Sequence, residues 1–291
     1  MRTNRLFWMA GALCAALGLG SCSNEMEDVA VPAEGATRTV TLTVTLPGGG
    51  ADTRTAYEAN DEGGLKVTWA KGDKLTAFSD DTWNFTKSTP FTLVSGEGTD
   101  TATFEGELPE DVPAEGGEVD FLYPAVTPIE IDGVTHYISP DYRTQGGTLA
   151  GLSKQDDLVF RAKYSGGKLN DISDSGHWTI FLHFAAGTAV ASAGGTATFT
   201  ISGAGAGLVW SAEEYIREDI RVSNVTVNPE GTLVDDLYIA FVEIPGSTPT
   251  LTITVGSEEK VYGFDKEFEL GTMYNISDLS VLTKKSTATN S

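Results

Sequence analysis

The sequence predicts an all-β protein made of two sandwich domains behind an export segment. Three observations point there. Apolar and polar residues alternate over short stretches, most cleanly in Thr39-Val40-Thr41-Leu42-Thr43-Val44-Thr45-Leu46, which has one apolar face and one threonine face. Further short apolar stretches recur down the chain, separated by Gly, Pro, Asn and Asp, a spacing that suits antiparallel sandwiches better than βαβ units. With 291 residues, 40% of them hydrophobic, the chain can build two cores of ordinary domain size. The expected organisation is an export segment over 1–21, a tether over 22–37, sandwiches over 38–168 and 169–283, and a polar tail over 284–291.

Arg2 and Arg5 form a positive start, and the apolar stretch from Leu6 to Leu19 is too short and too rich in Gly and Ala for a good membrane span. Leu19-Gly20-Ser21-Cys22 follows and resembles the lipobox of bacterial lipoproteins, which implies cleavage before Cys22 and acylation of its thiol. The second cysteine, Cys14, lies in the removed segment, so a mature exported chain has no disulfide and depends on packing. More than one acyl chain, at about 0.8 kcal/mol per buried CH2, anchors a protein stably. Ser23 to Asp28 is an acidic tether resembling the surface-export signals of Bacteroidetes lipoproteins, and Val29 to Thr37 is a Pro/Gly/Ala linker. The net charge of -22, which becomes -24 once Arg2 and Arg5 are removed, argues against a nucleic-acid partner.

Beyond the first strand, Pro47 and Gly48 to Gly50 break the pattern, and Asp52-Thr53-Arg54-Thr55 lies in a loop. Strands are expected at Leu65 to Trp69, Leu75 to Phe78, Phe91 to Val94, Thr101 to Glu107 and Val119 to Tyr123, with weaker ones at Thr135 to Ile138 and Asp157 to Ala162. The Gly/Ser/Asn/Asp-rich run from Ser165 to Gly176 marks the expected domain boundary. Further strands are expected at His177 to Ala185, Thr196 to Ser202, Val222 to Val227, Leu237 to Ile244, Leu251 to Val255, Lys260 to Phe264 and Met273 to Val281. One helix is expected, Ser211 to Asp219, because Ser211 and Glu214 form a capping box.

No constellation supports catalysis, a cofactor or a metal, so the chain is expected not to be an enzyme. On one strand, His177 and His183 would stand six residues or roughly 20 Å apart, too far to share an ion. His136 stands alone, and Glu130, Asp132 and Asp141 have no pairing argument. A calcium loop starting at Asp171 fails because Leu182 occupies the position where an acidic ligand is needed. Trp83, Trp178 and Trp210 could form a sugar-stacking platform, although sandwich cores routinely bury tryptophan. Asp100-Thr101-Ala102 resembles an O-glycosylation tripeptide of Bacteroides.

Several segments in order resemble the fimbrillin family of Bacteroidetes, the lipoprotein-derived subunits of type V pili. They are Thr53-Arg54-Thr55, Val67-Thr68-Trp69-Ala70-Lys71-Gly72-Asp73-Lys74-Leu75, Phe104-Glu105-Gly106, Phe121-Leu122-Tyr123-Pro124, Ile180-Phe181-Leu182-His183-Phe184 and Leu270-Gly271-Thr272-Met273-Tyr274-Asn275-Ile276. The resemblance implies two transthyretin-like sandwiches, cleavage of the precursor after its first strand, and replacement of that strand by one from another subunit. Arg54 matches the cleaved arginine and Thr55 the new N-terminus, whereas cutting after Arg38 would spare the strand. Val40, Leu42, Val44 and Leu46, at about 1.5–3 kcal/mol each when fully buried, sum to roughly 6–12 kcal/mol, which is on the scale of a domain's stability. The chain stops nine residues after Leu282 in Lys and Thr, so either Met273 to Leu282 is the donor or the protein donates nothing. The resemblance thus implies a structural or adhesive pilus subunit (stalk, tip or anchor) at the outer membrane and cell surface. Its partners would be other pilus subunits by strand complementation, the membrane through Cys22, and a host protein or glycan. The alternative is a surface glycan-binding lipoprotein that never polymerises.

Overall fold

A computed structural model describes residues 38–45, 56–59, 65–79, 85–131, 133–152, 158–177, 179–209, 214–264 and 267–285. In chain order its strands begin with β1 (Thr39–Thr45), β2 (Ala56–Ala59), β3 (Leu65–Thr68), β4 (Lys74–Ser79), β5 (Thr89–Ser95) and β6 (Thr101–Glu107). Next come β7 (Gly117–Tyr123), β8 (Thr127–Ile131), β9 (Val134–Ser139), β10 (Thr144–Gln145), the one-turn helix α1 (Leu149–Leu152), β11 (Leu158–Ser165) and β12 (Lys168–His177). The later strands are β13 (Ile180–Phe184), β14 (Gly195–Ser202), β15 (Leu208–Val209), β16 (Glu214–Tyr215), β17 (Ile220–Val227) and β18 (Leu237–Phe241). Last are β19 (Thr250–Val255), β20 (Glu258–Gly263), β21 (Met273–Ile276) and β22 (Thr283–Lys285). The fold is all-β, as the alternation and turn punctuation predict.

Seven antiparallel strands form the first sheet in the order β1-β6-β5-β4-β7-β11-β12. The sheet rolls until its two edge strands, β1 and β12, lie near each other. Its inner face fills the first core, with Leu42, Phe91, Phe104, Phe121 and Phe160 among the buried side chains and Trp69 closing one end. Rolling is what lets one continuous sheet bury its apolar face without a second sheet opposite.

The second core lies between a six-stranded sheet, β10-β17-β14-β19-β20-β22, and a three-stranded one, β18-β13-β21. Phe184 and Phe199 meet across it with ring centroids 5.4 Å apart. A fourth sheet, antiparallel and in the order β16-β15-β9-β8, takes strands from both halves of the chain, and Leu208 joins Phe78, Phe85 and Leu122 in a smaller core.

Four expectations need correction. The run from Ser165 to Gly176 is no linker: after the turn at Gly166-Gly167, β12 pairs with β11 and extends the first sheet to His177. The cores also do not part at 168/169, because Tyr142 and Leu152 already belong to the second core before β11 and β12 complete the first. For the same reason His177 and His183 do not share a strand: one ends β12 in the first sheet and the other lies in β13 of another. The helix expected over Ser211 to Asp219 is replaced at Glu214–Tyr215 by β16. There the backbone bonds across the sheet, with Ile216 N–H donating to the Gly207 carbonyl (2.9 Å) and Ala206 N–H to the Ile216 carbonyl (2.7 Å). Cross-strand partners outweigh a local capping signal.

Candidate strand-exchange site

Among the described residues, strand β1 pairs with β6 alone, in unbroken antiparallel register from Thr39 opposite Glu107 to Thr45 opposite Thr101. Directly paired residues share a face, so Val40 lies over Gly106, Leu42 over Phe104 and Val44 over Ala102. These three inward residues are 7%, 1% and 3% exposed. Leu46, the fourth apolar residue in the sequence pattern, lies outside the described residues.

The floor beneath β1 is fitted to it. Phe104 meets the Trp69 ring edge-on at 4.9 Å, and Trp69 meets Tyr123 edge-on at 5.5 Å. The Tyr123 hydroxyl donates to Asp73 Oδ1 (3.3 Å), while Asp73 Oδ2 accepts from the Ala70 N–H (2.7 Å) and closes the turn at Lys71-Gly72. The Trp69-to-Asp73 motif is therefore a corner brace at one end of the first core. At Gly106 a Cβ would overlap the Phe91 ring and come within 2.6 Å of the Pro90 carbonyl oxygen, so glycine is needed for Phe91 to pass under Val40. On the outer face, Thr43 and Thr45 meet Thr103 and Thr101 hydroxyl to hydroxyl at 3.1 and 3.0 Å.

The entry to β1 is held by Arg38. Its Nη2 donates to the Val112 carbonyl at 2.6 Å and to the Pro109 carbonyl at 3.4 Å, and its Nη1 to the Pro113 carbonyl at 3.4 Å. The guanidinium carbon lies 5.1 Å from the centre of the Tyr164 ring, and the Arg38 carbonyl accepts from Leu108 N–H (3.0 Å). Sequence reasoning weighed Arg38 only as a cleavage site. Its partners are backbone carbonyls more than 70 residues away, which no local pattern reveals.

Other singled-out residues fall into three groups. Cys22, Arg54, Thr55, Trp83, Trp178, Trp210 and the residues before Arg38 lie outside the described residues. His183 belongs to a structural row across three strands: it stacks on Tyr238 at 4.6 Å, and its Nδ1 is 2.7 Å from Asn275 Oδ1. Asp171 sits in β12 with a φ of 49°, and no group of three His, Cys, Asp or Glu is placed to hold a metal ion among the described residues. The C-terminal candidate donor is engaged within its own chain, since β21 pairs parallel with β13 and Ile276 and Leu279 are buried.

No family model and no curated protein sequence matches the chain. Among solved structures it is similar to a candidate cell adhesion protein of Bacteroides uniformis, with 13% identity, a TM-score of 0.41, and coverage of 75% of this chain and 92% of that one. A fimbrial protein of Bacteroides ovatus matches with 13% identity and a TM-score of 0.38 over 77% of this chain and 46% of that one, so the match spans about half of that protein. A candidate adhesin of Bacteroides ovatus matches with 10% identity and a TM-score of 0.40 over 86% of both chains.

Proposed function

We propose that the chain is a structural or adhesive subunit of a surface fibre of the type V pilus kind, assembled by strand exchange, with β1 as the removable strand. One observation carries this reading: among the described residues β1 is an edge strand, hydrogen-bonded to a single neighbour, whose inward row nevertheless fills the core. Its departure leaves the rest of the sheet continuous, exposes one row of backbone groups on β6 and opens an apolar groove, the template that β-augmentation uses. In this reading Cys22 carries lipid at the outer membrane, Arg54 is cut so that Thr55 becomes the N-terminus, and another subunit supplies the replacement strand. The engagement of β21 with β13 favours an acceptor role for this chain over donation by Met273 to Leu282. The test is N-terminal sequencing of the protein recovered from surface fibres. A new N-terminus at Thr55 is expected, and intact lipidated protein in finished fibres overturns the processing step.

A further inference from the structure

We infer that the Arg38 clamp is a guanidinium subsite at the mouth of the β1 slot, and that the strand replacing β1 comes from a different polypeptide and brings its own basic residue to fill it. The inference rests on the exchange reading above. Its starting point is chemical. The carbonyls of Pro109, Val112 and Pro113 converge on one guanidinium, and the face of Tyr164 lies over the same group. Carbonyl oxygens and an aromatic face both prefer a cation, and the planar fork of arginine satisfies several acceptors at once. Cleavage at Arg54 would carry Arg38 away with β1 and leave these acceptors facing an empty slot mouth.

The clamp also supplies what the ladder lacks. A period-two strand can slide by two residues and still point apolar side chains inward, so the alternation alone excludes only odd shifts, and the fit of each inward residue to its partner on β6 must exclude the rest. A charged anchor at a fixed distance from the first inward residue removes that freedom. In β1 the anchor stands two residues before Val40, with Leu42 and Val44 following at the same interval. Across the chain, Arg38 is the one Lys or Arg followed at the second, fourth and sixth positions by aliphatic or aromatic residues. Apart from β1, which the proposed cleavage removes from every copy, no segment of this sequence reproduces the signature, and this favours a donor from another protein. The expected donor is an extended segment with Arg, then three apolar residues at alternate positions, and small polar residues facing outward beside Thr101 and Thr103.

The experiment uses the full chain with a sequence-specific protease site inserted between Pro47 and Ala51. After cutting, β1 is held without a covalent link and can be challenged with fluorescent peptides in excess. The peptides carry the Thr39-to-Leu46 sequence preceded by Arg, Lys or Ala. We expect the Arg peptide to enter about tenfold or more tightly than the Ala peptide, as loss of hydrogen bonds from a charged group predicts, with Lys between. In a Tyr164→Leu protein the advantage of Arg over Ala should shrink by about threefold or more, a coupling that a merely structural Tyr164 would not produce. Equal entry of all three peptides overturns the subsite and leaves strand exchange standing. Failure of every peptide to enter after β1 has been released overturns both. Stable dimers of the uncut chain that dissociate on Arg38→Ala would assign the slot to β1 of a second copy and overturn the separate donor.

Discussion

Replacing Leu42 by Ala tests whether the inward row of β1 is a plug or a decoration. Leu42 is 1% exposed and faces Phe104, which Trp69 holds edge-on at 4.9 Å. Because neither ring is free to collapse into the space vacated, the full cavity penalty applies, and a loss of about 2–5 kcal/mol is expected. The neighbouring Thr43→Ala removes an exposed hydroxyl contact with Thr103 and should cost no more than about 0.5 kcal/mol. The two substitutions are adjacent in sequence and opposite in face, so their ratio isolates the inward row. Loss of all three inward side chains would remove roughly 4.5–9 kcal/mol of burial, against a typical whole-domain stability of about 5–15 kcal/mol. Urea unfolding should show a midpoint lower by about 1 M or more for Leu42→Ala, given slopes of about 1–3 kcal/mol per molar. Hydrogen exchange followed by mass spectrometry should show faster exchange over Thr101–Glu107, the strand that pairs with β1. Equal effects at positions 42 and 43, or unchanged protection of β6, would refute the account of β1 as a core-filling strand.

Three further outcomes are expected. Gly106→Ala should destabilise the first sheet by about 1–3 kcal/mol through overlap with Phe91 and Pro90, read as a lower urea midpoint; a neutral result would show that Phe91 can move aside. Asp120, 1% exposed, accepts from Arg161 Nε at 2.7 Å and Nη2 at 2.9 Å, so Asp120→Ala should cost about 3 kcal/mol, discounted from the fully buried case because Arg161 reaches solvent. Thermal unfolding would show that loss, and an unchanged melting temperature would remove the pair from the stabilising set. Acid should weaken the fold through three carboxyls held below their usual range: Asp141 by hydrogen bonds from the Arg143 side chain, Glu258 by the Ser192 backbone N–H, and Asp278 by the Ser280 N–H. Their folded values lie below the unfolded ones, so the contribution is present above the ordinary carboxylate range and is lost as pH falls from about 4 through the lower folded values. Glu258→Gln should flatten part of that acid limb in melts recorded against pH, and an identical profile would dismiss the Ser192 contact.

The elements legible in the sequence are those whose signal is local. β1 and β6 have matching bounds within a residue because alternation reports one buried face directly, and the turn at Lys71-Gly72 follows from a glycine with a φ of 91°. β12 escaped because Asn170 to Ser173 are exposed on both faces, which leaves no apolar period to detect. Glu214 and Tyr215 depart from the expected helix for the opposite reason: a strong local cap competes with backbone partners near Gly207 that the sequence does not place nearby. The Arg38 clamp was invisible because its acceptors are main-chain oxygens, identical at every residue type, positioned by a loop between β6 and β7.

The two edges of the rolled sheet differ in how readily a strand could be replaced there, and the proposed exchange rests on that difference. β12 carries register shifts against β11, with Asp171 in left-handed backbone, and its exposed polar residues blunt it as a pairing edge. A bulged ladder can be remade only by a partner with the same irregularity. β1 runs its full seven residues against β6 without a shift, and its inward side chains are Val, Leu and Val. A flat, apolar edge of this kind is a hazard for a protein that must stay monomeric. The same regularity would let an extended chain of period two with side chains suited to Gly106, Phe104 and Ala102 re-form the ladder. Arg38 supplies a register mark at the one end of β1 where carbonyls converge on it. Under the proposed exchange, regular ladder, apolar row and charged end anchor together describe a slot suited to one class of strands in one alignment, whereas β12 lacks the regular ladder.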